Sequence, residues 1–139
     1  MEAASAVEQR DKVTVYDMAE RTMEHHKLVL PEHLNPYGFL YGGYLLQWID
    51  EVGYTTAIVD FPGQEFVTVA MDDVVFHHKV LSGEVLRFTV DQVRKGNTSL
   101  HYQVKVFALL RSGDPDRVVF ETDISFVAID ADGNKARVV

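Results

Sequence analysis

Residues Asn35–Val52 read N-P-Y-G-F-L-Y-G-G-Y-L-L-Q-W-I-D-E-V. The Asn-Pro pair marks a turn, and the Gly-Gly pair leads into an apolar run that is typical of a buried helix. Backbone N–H groups at such a helix entry lack partners and attract negative charge. Asp50 interrupts the run. Asp50 is therefore either a solvent-exposed residue on the helix surface or the catalytic group of a site at the helix entry.

Length and composition predict one compact domain over residues 1–139, because 47% of the residues are hydrophobic and no segment has low complexity. The first 12 residues are expected to be flexible; they contain acids and no apolar core, unlike a secretory signal. No stretch is long enough to span a membrane, so cytoplasmic residence is the default expectation. The absence of cysteine excludes disulfides and a thiol nucleophile.

The charge pattern excludes one class of partner and restricts another. A formal net charge of -8 disfavours nucleic-acid binding, which requires clustered Lys and Arg. Between Leu28 and His78 the chain has no Lys or Arg, whereas nine basic residues follow in the last 61 positions. Any anion-binding surface is therefore expected mostly from the second half of the chain.

Hydrophobic periodicity predicts a strand, a long helix and then four more strands. The apolar residues of the helix cover most of its circumference, which predicts a helix largely enclosed by other structure. The links L-S-G, K-G-N and S-G-D-P-D are rich in turn residues and predict antiparallel hairpins between consecutive strands. The predicted elements are Thr22–Leu30, the helix Gly43–Val59, and the strands Phe66–His77, Glu84–Arg94, Thr98–Arg111 and Arg117–Asp130.

These elements predict an α+β architecture in which a five-stranded antiparallel sheet wraps around one long central helix. Such a sheet has open edges, and pairing between two copies would cover them. A homodimer, or a larger homo-oligomer built from dimers, is therefore favoured.

The chain resembles the hotdog-fold acyl-CoA thioesterases, in particular the small bacterial acyl-CoA hydrolases with a single hotdog domain. The most specific carrier is the spacing N-x-x-G-x-x-x-G-G-x-x-x-x-x-x-D between Asn35 and Asp50. Weaker carriers follow in order: V-T-V-A-M-D-D-V-V-F, R-K-G-N-T-S and E-T-D-I-S-F-V-A-I-D. The resemblance implies hydrolysis of acyl-CoA to a free carboxylic acid and CoA, with no cofactor beyond the CoA of the substrate.

The resemblance also assigns roles to residues. Asp50 would be the catalytic carboxylate, Asn35 its partner from the other subunit, and the Gly42–Gly43 backbone the oxyanion donor. Asp50 could activate a water or attack the thioester directly, and both routes stay open. Many relatives carry arginine where this chain has Asn97. We expect the CoA phosphates at the turn that surrounds this position, at Arg94, Lys95, Gly96, Thr98 and Ser99, whose amides, hydroxyls and cations suit phosphate oxygens.

Simpler interpretations accompany these assignments. Gln47, Asp50, Glu51 and Tyr54 have the i, i+3, i+4, i+7 spacing of a solvated polar stripe, and Asn35 before proline is typical of a turn. The histidine pairs His25–His26 and His77–His78 would point to opposite faces of strands, so no metal site is predicted. The alternative function is a non-catalytic hotdog module that binds acyl-CoA or another acyl ligand.

Overall fold

The computed structural model describes residues 22–139, so the flexibility predicted for the first 12 residues lies outside the described part. All six predicted elements are present, with ends within three residues of the predicted ones. A short 3-10 helix at Pro31–His33 precedes the main helix. The elements are β1 (Met23–Leu28), α1 (Gly42–Asp60), β2 (Glu65–Phe76), β3 (Val85–Lys95), β4 (Ser99–Ala108) and β5 (Val118–Ile129).

The five strands form one antiparallel sheet in the order β1-β3-β4-β5-β2. The predicted hairpins at K-G-N and S-G-D-P-D are confirmed, but the hairpin predicted at L-S-G is wrong. β2 pairs with β5, so residues 77–84 cross from one edge of the sheet to β3. Their backbone groups bond elsewhere: Val80 O accepts from Leu40 N (2.7 Å), and Gly83 N donates to Val29 O (2.8 Å). The crossing segment therefore lies beside the start of α1.

The core lies between one face of α1 and the concave face of the sheet. Alternate residues of β3 and β4 point inward, as their period of two predicted, and are fully or almost fully buried. Leu110 was predicted on the same face but is 63% exposed, because β4 ends at Ala108. Gly53 lets α1 approach closely, since a Cβ there would lie 3.1 Å from Phe126 Cζ.

The predicted enclosure of the helix is wrong for a single chain. The sheet covers one face of α1 and His33 contacts Trp48 near its start, whereas much of the opposite face is exposed among residues 22–139. The buried residues are Leu45, Trp48, Ile49, Gly53, Thr56 and Ala57, whereas Tyr44, Tyr54 and Val59 are exposed.

The two ends of α1 have different neighbours. The start of the helix meets the end of β2, where Phe76 lies against Gly42. The other end meets the β3–β4 turn, where Lys95 Nζ lies 5.7 Å from the ring centroid of Phe61. With 19 residues, α1 separates these ends by about 28 Å. None of the helices in residues 22–139 is long and apolar enough to cross a membrane.

Candidate active site

The start of α1 offers unpaired backbone N–H groups. Tyr41 is the N-cap residue but makes no side-chain capping hydrogen bond, and its carbonyl accepts from Tyr44 N (3.1 Å) and Leu45 N (3.3 Å). Within residues 22–139, no acceptor lies at the N–H groups of Gly42 and Gly43. Such amides, together with the positive end of the helix dipole, suit a developing negative charge.

The two glycines differ in their surroundings. A Cβ on Gly42 would lie 3.0 Å from Phe76 Cζ, so glycine is needed for the close approach of that ring. A Cβ on Gly43 would meet only Tyr41 Cδ1, at 3.9 Å, and this position is exposed. The backbone is therefore covered by Phe76 at Gly42 and open at Gly43.

Asp50 lies about two turns further along α1 and is held by a residue of the sheet. Its Oδ1 accepts a hydrogen bond of 2.5 Å from Thr68 Oγ1 on β2. Gln47 and Glu51 of the predicted polar stripe instead bond to each other on the exposed face (3.1 Å). Asp50 is thus half-buried and oriented, unlike Glu51 beside it.

Sequence reasoning missed Thr68. The signal was the single hydroxyl in the otherwise apolar stretch F-V-T-V-A-M. The pairing of β2 with β5 shifts register between Thr68 and Ala70, and such bulges redirect side chains. A register read from the sequence alone would not have shown which strand faces Asp50.

Asn35 forms the turn that its Asn-Pro dipeptide predicted. Its Oδ1 accepts from Tyr37 N (2.9 Å) and Phe39 N (3.3 Å), and its main-chain N–H donates to Phe39 O (2.8 Å). The side-chain NH₂ has no hydrogen-bond acceptor among the described residues. The turn therefore fixes the side chain through its oxygen and leaves the amide donor available.

His33 anchors this turn to the helix and was not singled out from the sequence. It is buried, its Nδ1 accepts from Leu30 N (3.0 Å), and its ring contacts Trp48 edge-on at 4.8 Å between centroids. An acceptor at Nδ1 places the hydrogen of the neutral ring on Nε2. The ring holds the segment that carries Asn35 against α1.

A cavity of about 390 Å³ opens beside the start of α1. Asn35 and Gly42 border it, whereas Asp50 does not, so one chain does not bring all the predicted catalytic residues together. Most of its wall is apolar and comes from the segment before α1, from α1, from the sheet and from the crossing segment: Phe39, Leu40, Leu45, Phe76, Val80, Leu86, Val106 and Val119.

The residues predicted to hold CoA phosphates cluster at the opposite end of α1. Gly96 N donates to Ser99 O (2.8 Å) and closes the turn, and Thr98 O accepts from Ala128 N (2.9 Å). Lys95 lies over Phe61 there. In a single chain this cluster is therefore remote from Gly42 and Gly43.

Arg94 is already engaged with His101. Its Nη2 lies 2.8 Å from His101 Nε2, and His101 Nδ1 lies 2.8 Å from Ser125 Oγ. Because a guanidinium only donates, Nε2 must accept and Nδ1 must carry the hydrogen. Burial, and then the Arg94 charge, lower the pKa of His101 below its ordinary value.

The histidines do not form a metal centre in the described structure. His25 points inward from β1, with Nε2 3.5 Å from Thr56 Oγ1, whereas His26 is exposed. Residues 22–139 hold no group of three or more His, Asp or Glu side chains that could bind a metal ion.

Known proteins share this sequence and this architecture. A family model of the thioesterase superfamily matches residues 37–112. Acyl-coenzyme A thioesterase 11 of Mus musculus is 37% identical over 83 residues, which are 58% of this chain and 13% of the mouse protein. The chain thus spans only a small part of that relative.

Two solved structures are similar over most of the chain. Acyl-CoA hydrolase from Staphylococcus aureus, in complex with butyryl coenzyme A, coenzyme A and coenzyme A disulfide, has a TM-score of 0.77 at 25% identity. The match covers 87% of this chain and 73% of that one. An apo-hexameric acyl-CoA thioesterase has a TM-score of 0.76 at 27% identity, covering 84% of this chain and 74% of that one.

This chain belongs to the thioesterase superfamily, since the family model covers more than half of it. The predicted fold is also confirmed: five antiparallel strands and one long helix form the hotdog architecture of these hydrolases.

Proposed function

We propose that the protein is an acyl-CoA thioesterase that hydrolyses acyl-CoA to a free carboxylic acid and CoA. The observation that carries the proposal is the arrangement on α1. Asp50 is a carboxylate oriented by Thr68 of β2, and the first amides of the same helix, at Gly42 and Gly43, have no acceptor among residues 22–139. A fixed carboxylate and aimed N–H donors are the two elements that thioester hydrolysis needs.

The chemistry follows from these groups. As a nucleophile adds to the thioester carbon, the carbonyl oxygen becomes negative, and the N–H groups of Gly42 and Gly43 stabilise it. Asp50 either removes a proton from the attacking water or itself attacks to form an acyl anhydride, which water then cleaves. In both routes the C–S bond breaks and CoA leaves as the thiol once it is protonated.

The complete site requires a second copy of the chain in this proposal. β2 lies at an edge of the sheet, and Val67 and Val69 on it are 42% and 56% exposed. Two identical edge strands related by a two-fold axis pair antiparallel, and this pairing would also cover the open face of α1. It would bring Asn35 of one subunit towards Asp50 of the other. The similar hexameric thioesterase supports a homo-oligomer.

The same two-fold arrangement gives the β3–β4 turn a role in binding CoA. Antiparallel pairing of β2 sets the start of one helix beside the partner's β3–β4 turn. Arg94, Lys95, Gly96, Thr98 and Ser99 would then hold the CoA phosphates for the neighbouring catalytic residues. Arg94 would exchange His101 for a phosphate oxygen, a stronger charge-assisted acceptor.

Thiol release tests the function directly. The wild-type protein is incubated with a panel of acyl-CoAs, and free thiol is measured alongside equilibrium binding of the same esters. Turnover that depends on Asp50 supports a thioesterase. Binding without thiol release supports the alternative, a non-catalytic module for acyl ligands, and overturns the proposal.

Subunit mixing tests the shared site. Asn35→Ala and Asp50→Asn chains should each be almost inactive alone. After exchange of subunits, each heterodimer should regain up to about half of its sites, because one of them combines both intact residues. A pull-down of tagged subunits verifies the exchange. Exchanged but inactive mixtures would place both residues in one chain's site, or give Asn35 another role.

A further inference from the structure

A basic groove adjoins the apolar cavity at the start of α1. It has a volume of about 370 Å³, and Lys79, Arg111 and Arg117 line it. His78, Lys79 and Val119 border both the groove and the cavity, so the two spaces meet at these residues. A molecule that enters the cavity beside Gly42 can therefore extend towards the three cations.

The cations of this groove form no ion pair with the acids of residues 22–139. Among residues 22–139, no carboxylate lies within 4.0 Å of the charged groups of Lys79, Arg111 or Arg117, whereas Arg87 pairs with Glu24 at 3.0 Å. The groove therefore keeps a positive charge in a chain whose formal net charge is -8. Unpaired cations around one concavity attract anions.

Among residues 22–139, Glu84 is the one carboxylate that lines the groove, and backbone N–H groups engage it. Glu84 is 2% exposed, and its oxygens accept from the backbone N–H groups of Val85 (3.0 Å), Leu110 (2.8 Å) and Arg111 (2.9 Å). It fixes the start of the β4–β5 connection. Arg111 Nη2 lies 3.3 Å from where a Cβ of Gly83 would be, so the guanidinium rests on the crossing segment that forms the groove wall.

The cavity itself suits an acyl chain better than the pantetheine arm of CoA. Pantetheine carries two amides that require polar partners when buried. The cavity wall between Gly42 and Lys79 consists mainly of Phe, Leu and Val side chains. An apolar passage that begins at the oxyanion donors and ends at unpaired cations fits an acyl group with an anion at its far end.

We infer that this protein prefers acyl-CoAs whose acyl chain ends in a carboxylate, that is, mono-CoA thioesters of dicarboxylic acids. The inference rests on the proposed function, because it places the thioester at Gly42 and Gly43. Arg111 and Arg117 recognise the distal carboxylate, and Lys79 stands between the cavity and the groove.

The experiment compares octanoyl-CoA with suberoyl-CoA, whose acyl group has the same number of carbons but a carboxylate in place of the terminal methyl group. Binding is measured in an Asp50→Asn background, where the ester persists, and kcat/KM is measured with Asp50 intact. We expect suberoyl-CoA to bind more tightly than octanoyl-CoA. The double variant Arg111→Gln, Arg117→Gln should weaken suberoyl-CoA binding about five- to tenfold and leave octanoyl-CoA almost unchanged.

Two further variants separate recognition from other effects. Arg111→Lys with Arg117→Lys keeps the charge and should retain most of the preference. Lys135→Gln with Arg137→Gln removes the same charge from exposed positions that lie outside the groove and should change neither ester. Thermal unfolding verifies that each variant is folded. High salt should reduce the preference for suberoyl-CoA.

The outcomes distinguish the inference from the proposed function. Equal binding of the two esters, or equal losses for both in the glutamine variant, would overturn the inference; equal losses would assign the groove to the CoA phosphates. Absence of thiol release from either ester would overturn the proposed function, while the binding comparison would still decide the inference.

Discussion

Asp50 accepts a hydrogen bond from Thr68, and this contact distinguishes it from the other polar residues of its helix. Removing the donor is therefore a direct test of the site. Thr68→Val keeps the shape and β-branching of the side chain and deletes only the hydroxyl. The carboxylate then loses the contact of 2.5 Å that fixes it against β2. We expect a loss of activity with little change in the fold.

The size of the loss follows from the strength of such bonds. A hydrogen bond to a charged group contributes about 1.5–3 kcal/mol, and the exposure of Thr68 reduces this to about 1–1.5 kcal/mol. Since about 1.4 kcal/mol corresponds to a tenfold change in rate, kcat should fall about five- to tenfold. KM should change little, because the hydroxyl positions the reacting group instead of binding substrate.

Steady-state thiol release from one acyl-CoA measures both constants. Thr68→Ser is the matched control; it keeps the hydroxyl and should retain most of the activity. If Thr68→Val has the kcat of the wild type, or if Thr68→Ser loses as much as Thr68→Val, then the contact does not position Asp50 for the reaction.

Three further predictions concern the scaffold. Gly53→Ala should lower the free energy of unfolding by about 1 kcal/mol, because overpacking against Phe126 outweighs the better helix propensity of alanine; a raised melting temperature would contradict this. Glu84→Gln should lower it by about 2–3 kcal/mol in denaturant titrations, since an amide cannot accept from three backbone donors as the carboxylate does; an unchanged midpoint would refute that role. Because the pKa of His101 is lowered in the folded chain, the unfolded chain protonates this residue at a higher pH than the folded chain does. The stability that neutral His101 contributes is therefore complete above pH 6.5 and is lost as the pH falls below it. His101→Gln should therefore flatten the pH dependence of unfolding between pH 7.5 and 5.5, and an unchanged slope would exclude this contribution.

The strands and the helix could be predicted because local pattern determines them. Alternating apolar residues on β3 and β4, the turn residues of K-G-N and the Gly-Gly entry of α1 are all visible in the sequence. The strand order was less accessible. L-S-G resembles a hairpin link, but β2 pairs with β5 instead, and only long-range packing decides between these partners.

The sequence suggested the residue types of the candidate site but not their contacts. The spacing from Asn35 to Asp50 indicated both residues, yet Thr68 comes from a strand whose register includes a bulge. The enclosure predicted for α1 was wrong because the apolar circumference of the helix indicates burial without indicating by which chain. The exposed face of α1 is instead an argument for a second subunit.

The most direct test of the account is the activity of Asp50→Asn beside Glu51→Gln. Both substitutions neutralise a carboxylate on α1 at almost constant shape, but only Asp50 is bonded to Thr68. We predict that Asp50→Asn lowers kcat/KM for acyl-CoA hydrolysis by roughly a hundredfold or more, whereas Glu51→Gln stays within about twofold of the wild type. Near-normal turnover by a folded Asp50→Asn protein would remove Asp50 from the mechanism and return it to the polar surface of the helix.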